Sequence, residues 1–193
     1  IRPFIGGELI KVMTGIRRSG KSVMLELIKE ELAEAGVAPS QMISINFEDM
    51  RYSHLQTATA LHDEIIKRAE GIEGKAYLFF DEIQEVEGWE KCVNSLRVAL
   101  DCDIYITGSN AKLLSGELAT YIGGRYVEFV IYPFSFAEFL ELYHTIAPSD
   151  SIQQCFQKYL LAGGMPYLSN LRYEEEPSRQ YLTDLFNSVQ LKD

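Results

Sequence analysis

Cysteine and histidine are scarce, with three of each in 193 residues. Cys92, Cys102 and Cys155 form no CxxC pair, so neither a disulfide framework nor a zinc ribbon is written into the chain. His54, His62 and His144 are scattered without ligand spacing. Positive charge is also short: 18 Lys and Arg stand against 28 Asp and Glu, for a net charge of −10. Such a balance offers no global field for nucleic acid. No apolar run approaches the roughly 18 residues of a membrane span, and no signal peptide is recognisable. A cytoplasmic, reducing setting is the expectation, with buried or exposed free thiols. The chain opens on Ile1 rather than Met and stops in an unfinished helical pattern, so it reads as a piece of a longer polypeptide.

What is present is a hydrophobic share of 47%, enough for one sizeable core. Apolar runs alternate with amphipathic stretches. Leu9–Thr14, Met42–Phe47, Ala76–Phe80, Asp103–Thr107 and Tyr126–Tyr132 read as strands. Lys21–Glu34, Thr57–Ala69 and Trp89–Leu100 read as helices between them. Strands alternating with helices predict a parallel sheet covered on both faces. After Pro133 the strands stop, and Ser135–Tyr143, Ile152–Leu161 and Arg179–Val189 all look helical. The division expected is an α/β core over 1–140 and a small helical lid over 141–193. The first 25 residues hold Arg2, Lys11, Arg17, Arg18 and Lys21 against Glu8 alone, a local basic spot suited to a small anion.

The segment GIRRSGKS, Gly15 to Ser22, meets G-x-x-x-x-G-K-[ST] at every fixed position, between a predicted strand and a predicted helix. Glycines let such a loop wrap closely around an anion. Inward amides and the helix N-terminus favour negative charge there. Gly15, Arg18, Ser19, Gly20, Lys21, Ser22 and Val23 are therefore the candidate nucleotide contacts. Lys21 would meet the β- and γ-phosphates and Ser22 would offer its hydroxyl to Mg²⁺. Arg17 and Arg18 could each touch phosphate, but the solvated loop arginine is the preferred reading of both.

AYLFFDE places Asp81 and Glu82 directly after a buried strand, at the edge where ligands bind in such sheets. Asp81 would hold the magnesium shell, and Glu82 would orient or deprotonate the attacking water. DIYITGSN ends the next strand on Thr107, Ser109 and Asn110, candidates for sensing the γ-phosphate, with helix capping the competing role for Ser109 or Asn110. No [NT]KxD motif supports guanine recognition. The acid pair argues against a P-loop kinase.

Together GIRRSGKS, INFEDMRY, LFFDEIQEVEGWE, the stretch Asp103 to Leu140 and GGMP (Gly163 to Pro166) resemble a bacterial and archaeal family of AAA-type ATPases related to the STAND ATPases. Its full-length members commonly carry a C-terminal domain of unknown function. The resemblance implies an α/β P-loop NTPase sandwich with a five-stranded parallel sheet ordered 5-1-4-3-2, followed by the lid. It implies ATP and Mg²⁺ as ligands, and Lys21, Ser22, Asp81 and Glu82 in the roles above. Arg125 becomes a candidate for the arginine that meets a γ-phosphate, sometimes in a neighbouring subunit, with a structural ion pair as the alternative. Lys21, Glu82, Asn110 and Arg125 are thus the expected catalytic set. GGMP resembles a glycine–proline turn near the nucleotide, or is a plain helix terminator. A protein partner or self-association is implied.

Overall fold

The computed structural model describes residues 1–108 and 122–190. Five strands, β1 (Ile10–Thr14), β2 (Met42–Asn46), β3 (Ala76–Asp81), β4 (Cys102–Thr107) and β5 (Tyr126–Val130), form one parallel sheet in the order β2-β3-β4-β1-β5. This is the order expected. The helices of this part are α1 (Lys21–Glu34), α2 (Ala58–Ala69) and α3 (Trp89–Ala99).

Alternation along each strand sorts the two faces. Ile10 and Val12 of β1, Leu78 and Phe80 of β3, and Ile104 and Ile106 of β4 share one buried core with Leu61 and Ile65 of α2 and Val93 and Leu96 of α3. Each such side chain contributes about 1.5–3 kcal/mol on burial. Trp89 is 3% exposed and anchors the start of α3 in this core. The opposite face carries Lys11 of β1, Phe79 of β3 and Tyr105 of β4, and α1 packs near β3 and β4 there. Phe79 and Tyr105 stack at 4.8 Å with 10° between their planes.

That face corrects one reading of the basic N-terminal stretch. Lys11 is fully buried, not part of a surface anion patch. Its ammonium pairs with the buried Asp103 carboxylate and donates to the Gly7 carbonyl at 3.1 Å. The other Asp103 oxygen accepts from the Tyr105 hydroxyl at 2.7 Å and the Gly6 amide at 2.7 Å. Burial lowers the Lys11 pKa from the usual ammonium value, and the Asp103 hydrogen bond and charge oppose that shift.

The chain divides into two compact units, the first containing Ile1–Gly15 and Lys21–Val130, the second Ile16–Gly20 and Ile131–Asp193. The second contains α4 (Phe136–His144), α5 (Ile152–Ala162) and α6 (Glu175–Gln190). Its own core is aromatic, built on Phe139, Tyr143 and Tyr173 with Cys155 and Leu168. Capping boxes start two of its helices: Ser135 with Glu138, and Ser151 with Gln154. Helix α6 begins at Glu175, earlier than the Arg179 expected, because Pro177 falls in the first turn, where a missing N–H costs nothing.

GGMP ends α5, with Gly163 as its C-cap at φ 71 and ψ −168. The second glycine has a different reason. The Gly164 carbonyl accepts from the Phe134 amide at 2.8 Å, and a Cβ at 164 would lie 2.0 Å from the Phe134 oxygen. The terminator reading therefore accounts for the motif within its own unit.

Candidate nucleotide-binding site

Strand β1 runs directly into the glycine loop, and α1 starts at Lys21. The loop is tightly turned. Gly20 sits at φ 107 and Arg18 at φ 63, both in the left-handed half of backbone space. A Cβ built on Gly20 meets nothing within 4 Å, so the glycine answers to its backbone angle, and the space above it is open. Ser19 is 4% exposed, and its hydroxyl has no hydrogen-bond partner among the described residues. A buried polar atom beside open space is the mark of a cradle shaped for a polar ligand. The Thr14 hydroxyl donates to Glu128 Oε1 at 2.6 Å and fixes the strand end that feeds the loop.

Lys21 is 5% exposed. Its ammonium donates to the Gly15 carbonyl at 3.3 Å and lies 3.9 Å from Glu82 Oε1. Ser22 and Val23 follow on the first turn of α1, both exposed, Val23 at 61%.

Strand β3 runs one residue further than the expected Ala76–Phe80, so that Asp81 is the last residue of the strand itself. Asp81 is 6% exposed, and both of its oxygens are engaged. Oδ1 accepts from the Thr107 hydroxyl, and Oδ2 accepts from Asn46 Nδ2 at 3.1 Å. The Thr107 oxygen in turn accepts from the Glu82 amide at 3.0 Å. Three neighbouring strands, β2, β3 and β4, thus orient one carboxylate. Glu82 leaves the strand at φ 55 and ψ 48, a left-handed turn. Its Oε2 accepts from Gln84 Nε2 at 2.6 Å. A non-glycine residue at positive φ is uncommon and stores strain, and such residues gather at functional sites.

Lys21, Asp81, Glu82 and Thr107 are therefore brought together at the C-terminal edge of the sheet. Asn46 joins them without being singled out by the sequence, where an Asn ending a strand carries no signal of its own. Glu48 and Asp49 follow it, and Asp49 caps the next turn by accepting from the Arg51 amide at 2.9 Å. Ser109 and Asn110 lie outside the described residues. Arg125 is not gathered with the others. It precedes β5, its carbonyl accepts from the Ile10 amide at 3.0 Å, and its guanidinium donates to Asn94 Oδ1 at 2.8 Å. Ile10 begins β1 and pairs with Tyr126, so Arg125 stands at the N-terminal edge, about 13 Å of strand away from the end of β1.

The donor set fits magnesium. Among the described residues no cluster of three or more His, Cys, Asp or Glu forms a metal cage. Mg²⁺ needs none, since it is held by one or two protein oxygens together with water and substrate phosphates. Asp81 and Ser22 supply oxygens of that kind.

A strand–glycine loop–helix, an acid ending the strand two places along the sheet, and a parallel 2-3-4-1-5 order define an α/β P-loop NTPase fold. The sequence model of the AAA domain family matches residues 8–140, and the chain belongs to that family. It is 42% identical over 186 residues to an uncharacterized protein of Haemophilus influenzae, spanning 96% of this chain and 46% of that protein. It is 34% identical over 189 residues to the uncharacterized protein MJ1544 of Methanocaldococcus jannaschii, spanning 92% and 41%. The chain thus spans less than half the length of these two relatives. Among solved structures it is similar to Cdc6p of Pyrobaculum aerophilum, with TM-score 0.54 and 14% identity over 99% of this chain and 59% of that one. It is also similar to PCH-2 of C. elegans, with TM-score 0.56 and 13% identity over 100% and 63%. These two likenesses are of fold. Among the described residues no helix is long and apolar enough to cross a membrane.

Proposed function

We propose that this chain binds ATP with Mg²⁺ and hydrolyses it to ADP and phosphate, with turnover coupled to a conformational change. The observation that carries the reading is the meeting of the Lys21 ammonium with Glu82, beside an Asp81 whose two oxygens are oriented by Thr107 and Asn46. In this reading the loop amides and Lys21 hold the phosphates, and Ser19 hydrogen-bonds to them. Asp81 and Ser22 hold the metal, which supplies charge neutralisation at the β- and γ-phosphates when bound. Glu82 aligns the attacking water and takes its proton. Thr107 couples the Glu82 backbone to Asp81 and takes the sensing role. Arg125, at the far edge of its own sheet, acts only on the phosphate of another copy, so its role requires self-association.

A slow-turnover nucleotide switch is the second reading. It is favoured by Glu82 itself, whose oxygens face Lys21 and Gln84 and must be released before they can serve as a base. In either case the proposal gives the reading of the nucleotide state to a protein partner.

Calorimetry and a phosphate-release assay test the proposal. Lys21→Ala should weaken ATP binding about ten- to a hundredfold, since a charge-assisted contact is lost. Glu82→Gln should retain ATP while turnover falls about a hundredfold or more. Unchanged turnover in Glu82→Gln would remove the glutamate from the chemistry, and unchanged affinity in Lys21→Ala would end the site assignment.

A further inference from the structure

Arg18 belongs, with the loop tip Ile16–Gly20, to the second unit, and so does Tyr181 on α6. The Arg18 guanidinium carbon lies 5.6 Å from the centre of the Tyr181 ring. That is inside the reach of a cation–π contact, about 6 Å. The ring is itself held in place. It lies 5.0 Å from the Tyr167 ring, inclined at 35°, and packs on the aromatic core of its unit.

Arg18 is an exposed L-residue at φ 63. A backbone so placed persists only where its surroundings over-determine it. Within the loop tip the Ser19 amide donates to the Ile16 carbonyl at 3.2 Å. The ring of Tyr181 supplies a further restraint, acting on the side chain of the strained residue itself.

We infer that Tyr181 is a positioning residue for the phosphate-binding loop, its ring holding Arg18 and the loop tip in the conformation that cradles phosphate. This rests on the reading of the loop as a nucleotide site. The restraint acts on the cradle common to ATP and ADP, so it sets the affinity for both nucleotides alike. By linkage, nucleotide in the loop stabilises the docked position of α6 to the same degree.

The test is a cycle of variants in the purified protein, read by ATP and ADP affinity and by hydrogen exchange of the loop amides without nucleotide. Tyr181→Leu should weaken both nucleotides about two- to fivefold, the range of an exposed cation–π contact. Tyr181→Phe keeps the ring face and should stay within about twofold of the parent. Arg18→Gly accepts positive φ without help, so adding Tyr181→Leu to it should cost nothing further. In the nucleotide-free protein, Tyr181→Leu and Arg18→Gln should each speed exchange at residues 16–20, and the second leaves α6 untouched should the first fail to fold. Equal losses from Tyr181→Leu in both backgrounds, a Phe variant as weak as Leu, or unchanged exchange in Arg18→Gln would overturn the inference. A parent protein that binds no nucleotide would sink the proposed function and this inference together. A parent that binds while Tyr181→Leu binds equally well would sink this inference alone.

Discussion

At the scale of single residues, the molecule separates two buried lysines with opposite surroundings. Lys11 is closed in by Asp103 and the Gly7 carbonyl, at the base of the sheet. Lys21 follows the other end of β1, beside open loop space. Both are legible as charges, but the sequence places them in one basic spot. Nothing in Lys11 as a residue type announces burial, because its partner lies 92 positions away. Removing one member of such a pair leaves an uncompensated charge. Lys11→Met should therefore destabilise the fold by about 3–5 kcal/mol in denaturant titration. The double variant Lys11→Met/Asp103→Asn, which buries no lone charge, should recover part of that loss. Were the double variant no more stable than the single, the pair would not be the source. The acid pair is readable directly, because an unbroken apolar run before Asp-Glu is a local pattern. Asn46 is not, since its place beside Asp81 follows from strand register alone.

At the scale of elements, the regular structure is readable where periodicity is strong and less so where a proline intervenes. Helix α1 runs from Lys21 to Glu34, the bounds its apolar spacing predicts. The start of α6 is harder to place, because Pro177 reads as a breaker although it is well tolerated in a first turn. The capping boxes offer an element-level prediction. The Ser135 hydroxyl accepts from the Glu138 amide, and the Glu138 carboxylate accepts from the Ser135 hydroxyl and amide. The Ser135 hydroxyl, then its amide, hold the Glu138 carboxyl below its usual pKa. A carboxyl with a lowered folded pKa contributes stability above its ordinary value, near about 4.3, and loses it as pH falls through the lowered one. Ser135→Ala should cost about 1 kcal/mol at neutral pH. The gap from the parent should narrow below about pH 4, measured by thermal melts across a pH series. A gap that stays constant on acidification would mean that Glu138 takes no part in the cap.

At the scale of the whole molecule, the described residues leave every thiol inside. Cys92, Cys102 and Cys155 are free and buried. Burial, with the Asp63 charge behind it, pushes the Cys92 thiol up to about 12. Burial and nearby aspartates push Cys102 up to about 11. Native protein at mildly alkaline pH should therefore leave all three thiols unlabelled by an aromatic disulfide reagent, and denaturant should release all three. Labelling of any of them in the native state would reveal local opening of the core. The order of the sheet carries a further consequence, one of timing. Of these five strands β1 is made before the others, yet it takes its neighbours from the fourth and fifth, while the second and third pair with each other. Lys11 is made 92 residues before Asp103, about 5–18 s of synthesis. Through that interval the nascent β1 has no sheet to join. Its backbone edges stay unpaired and its apolar side chains Ile10, Val12 and Met13 stay unburied until those later strands are made.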